Sequence, residues 1–242
     1  MLIEFCLPVY NEEKILKKNL LFLLDYLKKQ DFSFDWKIVL IINGSSDNSL
    51  QIAQEVSRAY SSKISFYNII EKGKGIAFKK YFFQSRADII CYMDIDLAVS
   101  LDCLPGLLNP LISKQKDLVF GSRLLPDSQI NRSFLRGLSS QIYNFLSRLI
   151  LNHKFSDLQC GFKAFKVEKF KEINSFLRNN KWFFDTEFII WSKQKGFKIE
   201  EIPVNWHENR YDQRKSKVSL VKDSLIFLRN LLILRKKIKN YN

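Results

Sequence analysis

The sequence predicts an α/β fold, a mainly parallel central sheet with helices on both faces. Two observations carry this. Short apolar runs alternate with segments of helical period through residues 2–123, the order that produces parallel strands joined by crossover helices. The composition is globular: of 242 residues, 46% are apolar and 14% aromatic, with only 8 Gly and 5 Pro, which excludes disordered and fibrous classes. A chain of this length buries roughly 70% of its unfolded surface and needs no disulfide or structural metal. Its four cysteines (Cys6, Cys91, Cys103, Cys160) form no CxxC pair, so neither a zinc ribbon nor a disulfide framework is expected, and free thiols in apolar runs suit a reducing compartment.

The elements follow in order. Leu2–Leu7 is an apolar strand stopped by Pro8. Glu13–Lys29 places Ile15, Leu16, Leu20, Leu23, Leu24 and Leu27 at helical spacing, acidic at its start and ending on Lys28-Lys29. Lys37–Ile42 is a second strand, followed by Gly44-Ser45-Ser46-Asp47 and a helix from Ser49 to about Ala59. Ile64–Ile69 is a third strand, Gly73–Phe83 a loop then helix, Asp88–Met93 a fourth strand and Leu118–Phe120 a fifth. Gly121-Ser122-Arg123 and Gly161-Phe162-Lys163 read as tight turns. In such sheets ligands sit beyond the carboxyl ends of the strands, so the informative places are Pro8–Glu12, Asn43–Asp47, Asp94–Leu97 and 121–123.

The fourth exit carries Asp94-Ile95-Asp96. Carboxylates two residues apart at a strand end point the same way, with the residue between them turned into the core. Like charges held this close call for a cation, and a hard divalent ion bridging to phosphate oxygens fits them. A pair of solvated loop acids is the bland alternative for an isolated D-x-D.

The pair is not isolated. Leu7-Pro8-Val9-Tyr10-Asn11-Glu12-Glu13, Asn43 through Ser49, Lys72-Gly73-Lys74-Gly75 and Asp94-Ile95-Asp96 occur in that order at strand exits. In this the sequence resembles the family 2 glycosyltransferases, whose nucleotide-sugar domain has the GT-A fold. The resemblance extends over residues 2–219 through 119–123, 136–144, Ser156 to Phe165, Trp182 to Glu187 and Ile202 to Trp206. These later runs look like the polyprenyl-phosphate branch, nearest to the dolichyl-phosphate β-glucosyltransferase type. It implies a GT-A domain over 1–215, with a nucleotide-sugar-binding half at 1–123 and an acceptor-binding half at 124–215. A basic apolar helix over 216–242 completes the expected fold of C-terminal amphipathic helices.

Residue by residue, the resemblance implies that Pro8, Tyr10, Glu12, Asn43, Ser45, Lys74 and Asp94 bind the nucleotide sugar. Asp96, with Asp94, would hold Mg²⁺ or Mn²⁺. The family usually has Asp-Asp-Gly-Ser where this chain has Ile42-Asn43-Gly44-Ser45; Asn43 keeps an acceptor oxygen, adds a donor and loses the charge. Ala98 stands where some relatives place a further metal contact.

The implied reaction moves a hexose from a UDP-glucose-like or GDP-mannose-like donor to a polyprenyl phosphate, with inversion at C1. A lipid phosphate is already largely ionised near pH 7 and needs no general base. Only two histidines exist, His153 and His207, both outside the donor motifs. Arg123, Arg132, Arg136 and Lys163 suit an acceptor phosphate, ordinary surface charge being the other reading. Asp185 either caps a helix running to Lys195 or binds sugar hydroxyls. Glu187 is the candidate catalytic carboxylate if the acceptor is a sugar hydroxyl, the alternative within the family. Trp182 and Trp206 read as core, with stacking on sugar or lining a lipid groove as the other reading.

Charge divides the chain. Residues 1–123 hold 16 Lys/Arg against 14 Asp/Glu, and residues 124–242 hold 23 against 11. A basic half attracts anionic lipid, phosphorylated substrate or nucleic acid. No stripe interleaves basic and aromatic residues, which argues against a nucleic-acid-binding protein. Phe134–Leu151 places Leu135, Leu138, Ile142, Phe145 and Leu149 on one stripe, and Leu225–Leu234 is apolar between Lys222 and Arg235-Lys236-Lys237. Such helices either lie in a headgroup layer or pack on the protein or a twin subunit. With no signal peptide and no membrane-spanning run expected, the location expected is cytoplasmic, peripheral on the inner membrane face. A homo-oligomer or a membrane-protein partner is a further expectation.

Overall fold

The computed structural model describes residues 1–131, 134–207 and 220–241, with the side chains of 134–139 and 220–224 outside that description. The elements run β1 (Leu2–Val9), α1 (Leu16–Lys28), β2 (Asp35–Asn43), α2 (Ser49–Ala59), β3 (Ile64–Ile69), α3 (Lys74–Gln84), β4 (Ile89–Met93), α4 (Leu104–Ile112), β5 (Leu118–Ser122), β6 (Gln129–Asn131), α5 (Phe134–Leu151), β7 (Phe162–Lys166), α6 (Val167–Ile173), α7 (Phe184–Gln194), β8 (Ile199–Pro203), β9 (Asn205–His207) and α8 (Leu220–Lys239).

Seven strands make one sheet in the order β3-β2-β1-β4-β7-β5-β8. All neighbours are parallel except β7, which runs antiparallel between β4 and β5. A short pair, β6 with β9, lies apart. Residues 124–215 therefore add β7 and β8 to the sheet begun by residues 1–123, and the two parts share one sheet. β1 continues through Pro8 to Val9 against β2, rather than stopping at Leu7. Pro8 is tolerated in a central strand because β4 pairs with β1 only from Ile3 to Cys6, so its missing N–H has no partner to lose there.

Alternate strand residues feed two cores. Phe5, Leu7 and Ile38 pack against α1, α2 and α4; Cys6, Val39 and Ile41 pack against α3, α6, α7 and α8. The second core is aromatic: Phe78, Phe82, Tyr92, Phe165 and Phe170 meet with ring centroids 4.6 to 5.9 Å apart, spacings that add to area burial. Leu231, Leu234 and Ile238 dock α8 onto this core.

The C-terminal helix differs from a simple two-faced helix. It is apolar where docked and also on its outer side, where Leu225, Ile226, Leu228, Leu232 and Ile233 are exposed. α5 lies beside it, with Tyr143 edge-on to Phe227 at 5.1 Å and Ile142, Phe145 and Leu149 exposed. Among the described residues no helix is long and apolar enough to cross a membrane.

Candidate active site

Parallel pairing brings the ends of β1, β2, β4 and β5 to one edge of the sheet, and the hairpin-like entry of β7 joins them there. The first two exits are stitched together. Ser45 Oγ accepts the Asn11 N–H at 3.1 Å and donates to the Val9 carbonyl at 3.3 Å, while Asn11 Oδ1 accepts the Ser46 N–H at 2.8 Å. Farther along, the Glu12 N–H donates to Ser49 Oγ and the Glu13 N–H to Asp47. Ser45, expected as a nucleotide contact, thus has its hydroxyl engaged in holding the two loops together. Asn43 is buried at the end of β2, and among the described residues its Oδ1 has no hydrogen-bond partner. Such an orphan acceptor is costly unless a ligand donor meets it. Lys72 Nζ lies 5.7 Å from the centre of the Tyr10 ring, across from this mouth.

The acid pair closes β4. Ile95 is buried, and Asp94 and Asp96 are half-exposed on either side of it. Asp94 takes its place through its N–H to the Gly161 carbonyl at 3.2 Å. Its carboxylate lies so close over Gly161 that a Cβ there would overlap it. Asp96 Oδ1 accepts the Ala98 N–H at 3.2 Å. Together with Leu97, Val99, Phe162 and Trp206 they line a small cleft. Among the described residues no group of three or more His, Cys, Asp or Glu gathers. Two half-exposed carboxylates suit a hard cation that keeps water and substrate oxygens as its other ligands, so the donor set fits Mg²⁺ or Mn²⁺.

Behind the pair lies a buried ionic network. Lys74, first residue of α3, is buried with Nζ 3.3 Å from Asp94 Oδ1 and 3.5 Å from Asp185 Oδ2. Asp185, at the start of α7, also accepts from Lys163 Nζ at 2.7 Å and from the Tyr92 hydroxyl. Burial alone would raise the Asp185 carboxyl, but Lys163 and Lys74 outweigh it and hold it below the usual carboxylate range. Burial likewise opposes the charge on Lys74, and Asp185 and Asp94 reverse that and raise it.

This corrects the expectation for Lys163. It is the second residue of β7, not part of a turn, and is fully buried and bonded to Asp185 and the Cys160 carbonyl. It cannot grip an acceptor phosphate. Asp185 does stand in the first turn of α7, where an acid suits the helix N-terminus, but its carboxylate is turned to the two lysines and Tyr92. Arg123 does not line the cleft itself but lies behind Trp206, which does. Its Nε and Nη2 meet Asp157 Oδ2 and Oδ1 at 2.6 and 3.0 Å, and its guanidinium carbon lies 5.8 Å from the Trp206 ring. Glu201 holds the backbone N–H groups of Ser156 and Asp157 and so fixes the segment that carries Asp157. Burial pushes Asp157 upward, but the Arg123 guanidinium outweighs it and holds the carboxyl low.

Glu187 stands apart from the acid pair. Its Oε2 accepts the N–H groups of Arg178 and Asn179 at 2.8 and 2.6 Å, and its Oε1 lies 3.8 Å from Lys237 on α8. Burial raises its carboxyl. The candidate carboxylate is thus engaged by two backbone N–H groups and faces Lys237. His153 is buried against Phe155 and bonded to Ser147, and burial lowers it to about 4. Trp206 is half-buried, packed against the first core while also lining the cleft, whereas Trp182 is exposed, with Lys74 Nζ 5.5 Å from its ring. Arg132 lies outside the described residues, as does the side chain of Arg136. Sequence reasoning missed the roles of Asp157, Glu201, Tyr92 and the 177–181 bend. The one signal available for Lys163 was its place on the same strand face as the apolar Phe165.

A mostly parallel sheet with one antiparallel insertion, and an acid pair at the exit of its central β4, define the GT-A class of nucleotide-sugar-dependent transferase folds. The chain belongs to glycosyl transferase family 2, whose family model matches residues 4–174. It is 33% identical over 224 residues to glycosyltransferase AglD of Haloferax volcanii, covering 92% of this chain but 35% of that protein. It is 31% identical over 241 residues to dolichyl-phosphate beta-glucosyltransferase ALG5D of Trichomonas vaginalis, covering 94% of this chain and 72% of the relative. The human dolichyl-phosphate beta-glucosyltransferase is 32% identical over 83% of this chain and 66% of its own length. Among solved structures the fold is similar to glucosyl-3-phosphoglycerate synthase from Mycobacterium tuberculosis, in complex with Mn²⁺, UDP and glucosyl-3-phosphoglycerate, with TM-score 0.65 and 16% identity over 98% of this chain and 79% of that one.

Proposed function

We propose that this chain transfers a hexose from a nucleotide sugar to a polyprenyl phosphate, with inversion at C1, at a membrane surface. The observation that carries the reading is the state of the carboxylates behind the acid pair. Asp157 is locked on Arg123, Asp185 on two lysines and Tyr92, and Glu187 on two backbone N–H groups. A hydroxyl acceptor would need one of them free as a base, whereas a phosphate monoester arrives ionised.

In this reading the joined exits of β1 and β2 hold the nucleoside, with Pro8, Tyr10 and Glu12 on one side. The unpartnered Oδ1 of Asn43 suits an N–H of the base, as uracil or guanine presents. Asp96 and Asp94 would hold Mg²⁺ or Mn²⁺, which supplies stabilisation of the negative charge developing on the departing diphosphate. Lys74 keeps Asp94 in place, and Arg123, paired with Asp157, stands behind Trp206 of the cleft. The names of the relatives, dolichyl-phosphate beta-glucosyltransferases, support glucose and a polyprenyl phosphate. The exposed apolar residues of α5 and α8, with Arg229, Arg235 and Lys236 exposed among them, support peripheral contact with an anionic leaflet.

The test is a donor panel of UDP-glucose, other UDP-hexoses and GDP-mannose with dolichyl or undecaprenyl phosphate, with and without EDTA, scored by product mass. A glycosyl-phosphoryl-lipid that disappears with EDTA is the expected product. Transfer only to a sugar hydroxyl, or full activity in EDTA, would overturn the reading.

A further inference from the structure

We propose that Glu187 is a positioning residue for the donor loop, acting through the bend at 177–181 and not on the reacting atoms. The proposal rests on the reading of Lys72–Gly75 as the loop that meets the donor diphosphate.

The bend is tied at three points. Glu187 Oε2, from the first turn of α7, accepts the N–H groups of Arg178 and Asn179. Lys79 Nζ, from α3, donates to the Leu177 carbonyl at 3.2 Å and to Asn180 Oδ1 at 2.6 Å. The Asn180 carbonyl in turn accepts the Ile76 N–H at 3.2 Å. The donor loop is thereby pinned at the first turn of α3, immediately after Lys74.

The contact leaves no slack. Gly73 has φ +139, and a Cβ there would overlap the Asn180 carbonyl; a Cβ on Gly75 would lie 2.6 Å from the Asn179 carbonyl and 2.8 Å from Phe184 Cβ. Both glycines are therefore required on the protein side of the loop, by the backbone of the bend. Remove the carboxylate and two N–H groups lose their acceptor. The carbonyls of Asn179 and Asn180 then lose the geometry that seats Gly73 and Gly75, and Lys74 loses its fixed approach to Asp94. Lys237, 3.8 Å from Glu187 Oε1, places α8 at the far end of the same chain of contacts.

The oxygen does the work, and its charge contributes less. A glutamine presents one oxygen able to accept both N–H groups, so Glu187→Gln should keep the bend while Glu187→Ala loses it. The experiment measures UDP binding with Mn²⁺ by calorimetry, donor KM and kcat, and amide hydrogen exchange of segment 72–78 in the full chain. For Glu187→Ala the donor KM and UDP Kd should rise on the order of ten-fold, with kcat within about two-fold and faster exchange at 72–78. Glu187→Gln should restore all three. Gly75→Ala should weaken UDP binding similarly, and the double variant Glu187→Ala/Gly75→Ala should be less than additive. A kcat reduced by far more than two-fold in both Glu187→Gln and Glu187→Ala would make Glu187 a participant in chemistry and overturn the proposal. So would unchanged UDP binding or unchanged exchange in Glu187→Ala. Should the unaltered protein bind no UDP at all, the donor reading fails by itself, and the exchange data still decide whether Glu187 holds the loop.

Discussion

Asp185 neutralises two buried ammonium groups at once, those of Lys163 and Lys74. Breaking a buried pair by removing one partner costs about 3–5 kcal/mol, because the other charge is left unpaired, whereas replacing both partners costs far less. Asp185→Asn should therefore lower unfolding stability by about that amount in urea. Lys163→Met should cost less, since Lys74 still faces Asp185. The double variant Asp185→Asn/Lys163→Met should be more stable than Asp185→Asn alone, an interaction of a size double-mutant cycles resolve. Strict additivity would mean that the two side chains do not act as a pair. The same pair shows why Lys163 was misread. A lysine after Gly-Phe looks solvent-facing when its segment is taken for a turn. Once β7 is inserted antiparallel between β4 and β5, that position points into an aromatic core, and only Asp185, 22 residues away in sequence, makes it tolerable. Asp94 and Asp96 were legible for the opposite reason: they follow directly on β4, and although the chain there forms a turn and not strand, Ile95 is buried and both acids stay half-exposed.

At the scale of elements, apolar periodicity located most helices and strands of the first half. The helix at Ser49–Ala59 and the strand at Ile64–Ile69 match their expected bounds, because each segment has a single buried side to satisfy. β7 and α4 lay beyond this reading. Their neighbours come from distant parts of the chain, and pairing partners are not written in local period. α5 and α8 were visible as apolar stretches, but which of their sides docks was not. Leu231, Leu234 and Ile238 face the core, which leaves Leu225, Leu228 and Leu232 outward at positions i, i+3 and i+7, while Phe145 and Leu149 are exposed on the adjoining α5. This outer side should bind vesicles containing anionic lipid and release them as salt rises. Each cation removed from Arg229, Arg235 or Lys236 should cost roughly 1 kcal/mol, about five-fold in partitioning. Leu225→Ser with Leu232→Ser should weaken binding even at low salt. Co-sedimentation that ignores both changes would remove this surface from the membrane reading.

For the whole molecule, the shared sheet links acid stability to the site. Asp157 and Asp185 are both held below their usual range, by Arg123 and by the two lysines, against the opposing effect of burial. A carboxyl whose folded pKa lies below its unfolded value of about 3.9 binds fewer protons folded than unfolded through that interval. Its contribution is present in full above about pH 4–5 and is lost as pH falls through the folded value. Glu187 has the reverse sign. Burial raises its carboxyl, so the folded protein holds that proton to higher pH, and acidification from its folded value toward about 4.3 relieves a cost. The two windows separate: mild acid is neutral to slightly stabilising through Glu187, and stronger acid is destabilising through the aspartates. Unfolding free energies in urea, stepped from pH 7 to 3, should show little loss in mild acid and a steep fall near and below pH 4. Asp157→Asn should be about 3–5 kcal/mol less stable at pH 7, with Arg123 left buried beside a neutral amide. Its curve should then converge on that of the unaltered protein as the carboxylate of the latter takes up its proton. Curves that stay parallel down to pH 3 would show that Asp157 does not carry the stabilising charge assigned to it.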